Sequence, residues 1–287
     1  MRARGNGIEI EYETFGDEGA APLVLVAGFA QQLIRWDDAF CAELARRGFR
    51  VVRFDNRDVG LSTKLQGAPR LNLPAIFGGD RSIVPYSIED MADDTAGLIE
   101  SLGLGSTHVV GVSMGGMIVQ SLAIRHPGRV KSLASIMSTT GDPRVGQPSP
   151  DALASLMRPV SRDREENIEN GVLSWRTLRS PAHPFDAGAV REYVTRAYDR
   201  SFYPSGVARQ LAAILSQADR TAALGGVTVP TVVIHGSDDP LIHVSGGEAT
   251  ARAIPNARLQ LIAGMGHDMP VGLFGTLIDA ITENARR

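Results

Sequence analysis

Gly111-Val112-Ser113-Met114-Gly115-Gly116 decides how this chain is read, because of what flanks it. Thr107 to Val112 has the pattern of a buried strand, and Met114 to His126 that of a helix. A strand that turns directly into a helix bends sharply and exposes the residue at the bend. Such a turn strains the backbone and crowds both neighbours. Glycine two positions before the serine and two after removes the Cβ atoms that would clash. Gly116 adds a third small residue, expected to let the helix sit close to its strand. A serine displayed there has a helix N-terminus beside it, which favours developing negative charge. Ser113 is therefore a candidate nucleophile.

Working outward, the same alternation continues. Ile8 to Phe15 is apolar on one face and carries Glu9, Glu11 and Glu13 on the other, which predicts an antiparallel edge strand. Leu23 to Ala27 is continuously apolar, as in a strand buried on both faces. Phe40 to Gly48 reads as a helix and Arg50 to Phe54 as a strand opening into the polar loop Asp55 to Ser62. Ile88, Met91, Thr95, Leu98, Ile99 and Leu102 recur at helical steps, with Ser87 as cap and Gly103 past the end. Strands are expected at Val130 to Met137, Thr231 to His235 and Arg258 to Ile262, with helices at Gly247 to Ile254 and from Pro270 onward. Strand and helix in alternation mean an α/β fold: a mostly parallel sheet with helices on both faces.

From about Thr140 to Gly225 the alternation stops. Turn chemistry at Gly141-Asp142-Pro143 and Gln147-Pro148-Ser149-Pro150 gives way to helical spacing without any strand pattern. The expectation is a core of residues 1–139 and 226–287 with an inserted helical cap, 140–225, over one end of the sheet.

Composition narrows the function classes. At 43% apolar and 21% charged residues the chain is ordinary globular protein, neither disordered nor fibrous. A net charge of −3, with scattered basic residues, gives no case for nucleic acid. A single cysteine, Cys41, excludes an internal disulfide and a cysteine-rich metal site. No metal-ligand cluster, phosphate loop or dinucleotide glycine pattern stands out, so neither metal nor cofactor is expected. No apolar run approaches the length of a membrane span. Arg2 and Arg4 are followed by no apolar stretch, so no secretory leader is expected and the cytoplasm is the expected compartment. A homo-oligomer stays open.

A serine nucleophile needs a base, and the base an orienting acid. His267 lies in the glycine-rich loop Ala263 to Asp268, between the last strand and the last helix, at the carboxyl edge of the sheet. His243 is its one serious competitor. The acid is expected in Gly236-Ser237-Asp238-Asp239-Pro240, after a buried strand, where either aspartate can point at His267. Pro240 biases Asp239 toward an extended backbone. Asp142 is the next candidate. Trp175, Tyr193, Tyr198, Phe202 and Tyr203 are aromatic residues of the insertion. Trp175 and Tyr198 are the candidates for lining a substrate pocket.

Val26-Ala27-Gly28-Phe29, Arg53 to Ser62, Gly111 to Gly116, Arg125-His126-Pro127, Asp239-Pro240 and Gly264 to His267 together resemble an α/β-hydrolase of the esterase and haloperoxidase-like branch. Within it the chain is most similar to aclacinomycin-methylesterase-like enzymes, which hydrolyse a methyl ester on a polyketide. The Asn56-Arg57-Asp58 loop and the glycine-rich histidine loop carry that likeness. The resemblance covers the chain apart from the insertion. It implies the α/β-hydrolase fold, selects Asp239 over Asp238, and supplies an oxyanion hole from the backbone N–H groups of Phe29 and Met114. Many relatives have His-Gly where this chain has Ala27-Gly28, but the donor there is a backbone group.

The leading expectation is thus a serine hydrolase acting on a small-molecule carboxylic ester through Ser113, His267 and Asp239 and an acyl-enzyme. C–C bond hydrolysis and perhydrolysis share the same residues. A non-catalytic ligand receptor is the alternative of another class, and a pure receptor needs no activated nucleophile.

Overall fold

Leu23 and Leu25 face one side of the sheet and Val24 and Val26 the other, and all four are fully buried. That double burial is why the segment reads as uninterrupted apolar sequence rather than as alternation. The computed structural model describes residues 1–66, 75, 76 and 80–287. The remainder of the expected core segment, 67–74 and 77–79, lies outside the described residues.

The chain starts with strands β1 (Arg2–Gly5), β2 (Ile8–Phe15) and β3 (Ala21–Val26), helix α1 (Asp38–Arg46) and strand β4 (Phe49–Phe54). Helix α2 (Ile88–Ser101), strand β5 (Thr107–Val112), helix α3 (Met114–Arg125) and strand β6 (Val130–Ile136) follow. Helices α4 (Pro150–Leu156), α5 (Arg164–Leu178), α6 (Ala187–Arg200), α7 (Pro204–Ser216) and the short α8 (Thr221–Leu224) come next. Strand β7 (Thr231–Gly236), helix α9 (Ser245–Ala253), strand β8 (Arg258–Ile262) and helix α10 (Phe274–Ala285) close the chain. The eight strands form one sheet in the order β1-β2-β4-β3-β5-β6-β7-β8. β2 runs antiparallel to β1 and β4, and the pairs from β4 through β8 are parallel.

Two apolar layers flank the sheet. On one side Val24, Val26, Val52 and Val109 pack against Ile88, Met91 and Leu98 of α2 and Ile118 and Leu122 of α3. On the other Leu23, Leu25, Val110 and Ile136 pack against Phe40 and Leu44 of α1 and Leu277 and Ile281 of α10. Each such side chain contributes roughly 1.5–3 kcal/mol by leaving water. The Ser87 cap expected at α2 is present and is a full capping box: Ser87 Oγ accepts from Asp90 N and the Asp90 carboxylate accepts from Ser87 N.

Several boundaries shift by one to four residues from the sequence reading, the last helix starting at Phe274 rather than Pro270, and one strand was missed. α1 starts at Asp38 because Asp37 caps it, accepting from Ala39 N at 2.8 Å. Arg2–Gly5, read as a plain N-terminus, is an edge strand whose register places Arg2 opposite Glu11 and Arg4 opposite Glu9. The signal was the alternation of basic residues facing alternating acids, and it shows only once the two segments are paired.

The carboxyl ends of β3, β5, β7 and β8 share one edge. Phe29, Ser113, Asp239 and His267 each follow one of these strands, so four distant stretches of sequence meet there.

Candidate active site

Ser113 takes φ 56° and ψ −120°. A residue with a Cβ in that region costs on the order of 1–3 kcal/mol, and the surroundings hold it there. Its N–H donates to Ile136 O at 2.9 Å, and its carbonyl accepts from Ser138 Oγ at 2.8 Å. A Cβ on Gly111 would lie 2.1 Å from Gly115 O, and one on Gly115 would lie 2.2 Å from Val26 O. The second glycine is thus required by the end of β3 as well as by the turn. Gly116, expected to bring the helix onto its own strand, instead faces Ser138 beyond β6, where a Cβ would come within 2.5 Å.

His267 Nε2 lies 3.0 Å from Ser113 Oγ, and Nδ1 lies 2.7 Å from Asp239 Oδ2. With Nδ1–H donating to the carboxylate, Nε2 is the acceptor for the serine hydroxyl. The other oxygen, Asp239 Oδ1, accepts from Leu241 N at 2.8 Å and Ile242 N at 2.9 Å. His235 Nε2 donates to Ile242 O at 2.7 Å and stands 3.5 Å from Asp239 Oδ2. Burial opposes ionisation of Asp239. The charge on His267 and the hydrogen bonds from His235 and His267 outweigh it and hold the carboxyl well below the usual carboxylate range. A carboxyl depressed in the folded state contributes stability that is complete above its unfolded value of about 4 and is lost as pH falls below it. Urea unfolding from pH 5 down to pH 3 should therefore destabilise the wild type more than Asp239→Asn. Equal losses would contradict this.

The competitors sit elsewhere. His243 bonds Ser245 Oγ at 2.9 Å, His126 pairs with Asp93, and His108 bonds Ser132. Asp238 accepts from Gly264 N at 3.0 Å and so braces the histidine loop, while the Asp142 carboxylate is paired with Arg144 at 2.8 Å. Burial pushes the Cys41 thiol up to about 12, against the nearby Arg53, so it is no rival nucleophile. Among the described residues no group of three or more His, Cys, Asp or Glu could hold a metal ion, and no helix is long and apolar enough to cross a membrane.

The family profile for the alpha/beta hydrolase fold matches residues 21–271. The chain belongs to that family. It is 30% identical to rhodomycin D methylesterase of Streptomyces peucetius, over 96% of this chain and 94% of that one. It is 27% identical to a bifunctional esterase/perhydrolase of Acinetobacter calcoaceticus, over 92% and 91%. Among solved structures, a thermophilic esterase of Thermogutta terrifontis superposes with a TM-score of 0.73 at 26% identity, over 100% of this chain and 97% of that one.

In this α/β-hydrolase Ser113 opens onto two cavities. One, of about 240 Å³, is lined by Ser113, His267, Phe29, Arg35, Trp175 and Leu178. The other, of about 530 Å³, is lined by Ser113 and Phe29, with Met117, Leu211, Ile214 and Leu215 among its apolar residues and Arg81, Asp142 and Asp219 among its polar ones. Trp175 is thus brought to Ser113. Tyr198 is not: it stacks on Phe202 at 4.3 Å and lines an outer groove that shares Trp175 with the smaller cavity. Phe29 lies beside the serine because Gly28 passes so close that a Cβ there would be 3.2 Å from Ser113 Cβ. Met114 opens α3, so its N–H has no acceptor within the helix.

The polar loop after β4 and the histidine loop are both tied to helices of the insertion. Asp55 pairs with Arg200 at 2.8 Å, and both oxygens of Asp58 with Arg209 at 2.8 Å. Gln210 bridges Ala30 N at 3.0 Å and Arg57 O at 2.9 Å. His267 N donates to Leu178 O at 2.8 Å, and a Cβ on Gly266 would lie 2.4 Å from Arg179 O. Sequence reasoning missed Arg200, Arg209 and Gln210, because polar residues on a helix read as a solvated face until their partners are known.

Proposed function

We propose that this protein is a serine esterase in which Ser113, His267 and Asp239 form the catalytic triad. The observation that carries this is the His267 ring, bonded to Ser113 Oγ at 3.0 Å through one nitrogen and to Asp239 at 2.7 Å through the other. The relatives named as methylesterase and esterase support ester hydrolysis as the reaction of this chain.

Ser113 Oγ attacks the ester carbonyl carbon while His267 Nε2 takes the hydroxyl proton. Negative charge collects on the carbonyl oxygen, beside the N–H groups of Phe29 and Met114. Asp239 keeps the Nδ1 proton in place and stabilises the imidazolium. Collapse breaks the C–O bond, and the alcohol leaves with the proton from His267. A water then attacks the acyl-enzyme with His267 again as base, which releases the carboxylic acid and restores Ser113.

Residues 140–225 act as a cap that shapes the pocket and limits water. Trp175 contacts substrate beside Ser113. Tyr198 meets a bulky substrate further out, in the groove. Fluorophosphonate should add one label, mapped to the peptide containing Ser113, and p-nitrophenyl esters should be turned over. kcat/KM should fall toward acid pH along a one-proton limb, since a protonated His267 accepts nothing. Active protein labelled elsewhere, or left unlabelled, would refute the assignment.

A further inference from the structure

Arg35 lines the smaller cavity together with Ser113 and His267. Its guanidinium stacks over the Trp175 ring, 4.8 Å from the centroid, and among the described residues its side chain has no hydrogen bond or ion-pair partner. The contrast with its neighbours is sharp. Arg57 is paired with Asp94, Arg200 with Asp55 and Arg209 with Asp58. A partly buried cation without a carboxylate is costly, and proteins rarely leave one so unless something else completes it. Asp268, the carboxylate that acts on Arg35 most, already accepts from Ser180 N and Ser180 Oγ and does not line the cavity. Burial lowers the Arg35 pKa, against the attraction of Tyr193, Asp268 and Asp37. A cation so placed gains most from an anion that arrives with the substrate.

The position of His267 says which end of the substrate that is. The imidazole hands its proton to the leaving oxygen, so the leaving group lies on its side of Ser113. His267 lines the cavity that holds Arg35 and not the larger one. The acyl chain then occupies the larger cavity, among Met117, Leu211, Ile214 and Leu215. We infer that Arg35 is a specificity-determining residue that binds a carboxylate on the alcohol part of the ester. The preferred substrates are apolar acyl esters of hydroxy acids. This rests on the ester-hydrolase reading above.

The test compares 3-carboxyphenyl butanoate with its neutral isostere, 3-carbamoylphenyl butanoate, on the same preparations of wild type, Arg35→Met and Arg35→Lys. The ratio of the two kcat/KM values cancels any loss of folded protein. In the wild type it should lie well above one. It should drop about 30-fold in Arg35→Met, the scale of one charge-assisted hydrogen bond, and recover in part in Arg35→Lys. Monophenyl adipate, with its carboxylate on the acyl side, should show no such dependence on Arg35. A wild-type ratio near one, a ratio unmoved by Arg35→Met, or a dependence seen only with monophenyl adipate each overturns the inference while the esterase stands. Absence of turnover of either aryl ester, together with no fluorophosphonate labelling, would instead remove the ester reading itself.

Discussion

Ser113→Ala should lower kcat for p-nitrophenyl butanoate by about 10⁴- to 10⁶-fold, the range that removal of a serine nucleophile costs in other serine hydrolases. The size follows from what the variant lacks. Among the described residues Ser113 is the one hydroxyl hydrogen-bonded to the His267 ring, and the one thiol, Cys41, is buried in the apolar layer between the sheet and α1. What survives is binding and the backbone donors of Phe29 and Met114, which act on a water-borne reaction alone. Folding should be little disturbed. Alanine keeps the Cβ, so the strained φ of 56° costs the same, and the backbone bonds to Ile136 and Ser138 remain. KM should therefore move far less than kcat. A variant within tenfold of wild type in kcat would mean that another residue attacks the carbonyl.

Asp239→Asn should cut kcat by about 10⁴-fold, whereas Asp238→Asn should cost about tenfold or less. The amide fills the same space, and one oxygen still accepts from the Leu241 and Ile242 amides. Its NH₂ then faces Nδ1 of His267, and two donors cannot share that contact. The ring must put its proton on Nε2, where it can no longer accept from Ser113. The imidazolium formed during attack also loses its counter-charge in a buried site. Asp238 is exposed and accepts from Gly264 N and from its neighbour Ser237 Oγ, so its neutral amide, which keeps one oxygen, retains most of that support. A dead Asp238 variant beside an active Asp239 variant would show that the acid has been assigned one residue out of register.

What the two carboxylates have in common is local sequence, and what separates them is not. The α/β alternation, the double burial of β3, the cap at Ser87 and the glycine pattern around Ser113 were all legible, because each depends on residues within a turn or two of one another. His267 was legible for a related reason: in a parallel sheet, the loops after the strands end at one edge. The residues alone left Asp238 and Asp239 open, and resemblance chose between them. Only the folded loop shows one carboxylate turned inward against the Leu241 and Ile242 amides and the other turned out to Gly264.

The insertion was the least legible part. Helical spacing in the segment is plain, but it does not say which face meets the sheet. Trp175 and Tyr198 looked equivalent, and the structure separates them, since α5 places one over Ser113 and α6 places the other in the outer groove. The same limit applies to charge. Asp55 and Asp58 sit in a conspicuous loop, yet their partners Arg200 and Arg209 lie about 150 residues away and look like solvent-facing arginines. The sequence by itself determined the class of fold, the serine at the strand-to-helix turn and the edge of the sheet where Asp239 and His267 meet it. Tertiary structure alone decided which aspartate turns inward, which aromatic ring reaches the cavity and which arginine lines it. Those depend on contacts between segments far apart in the chain, and local periodicity carries no record of them.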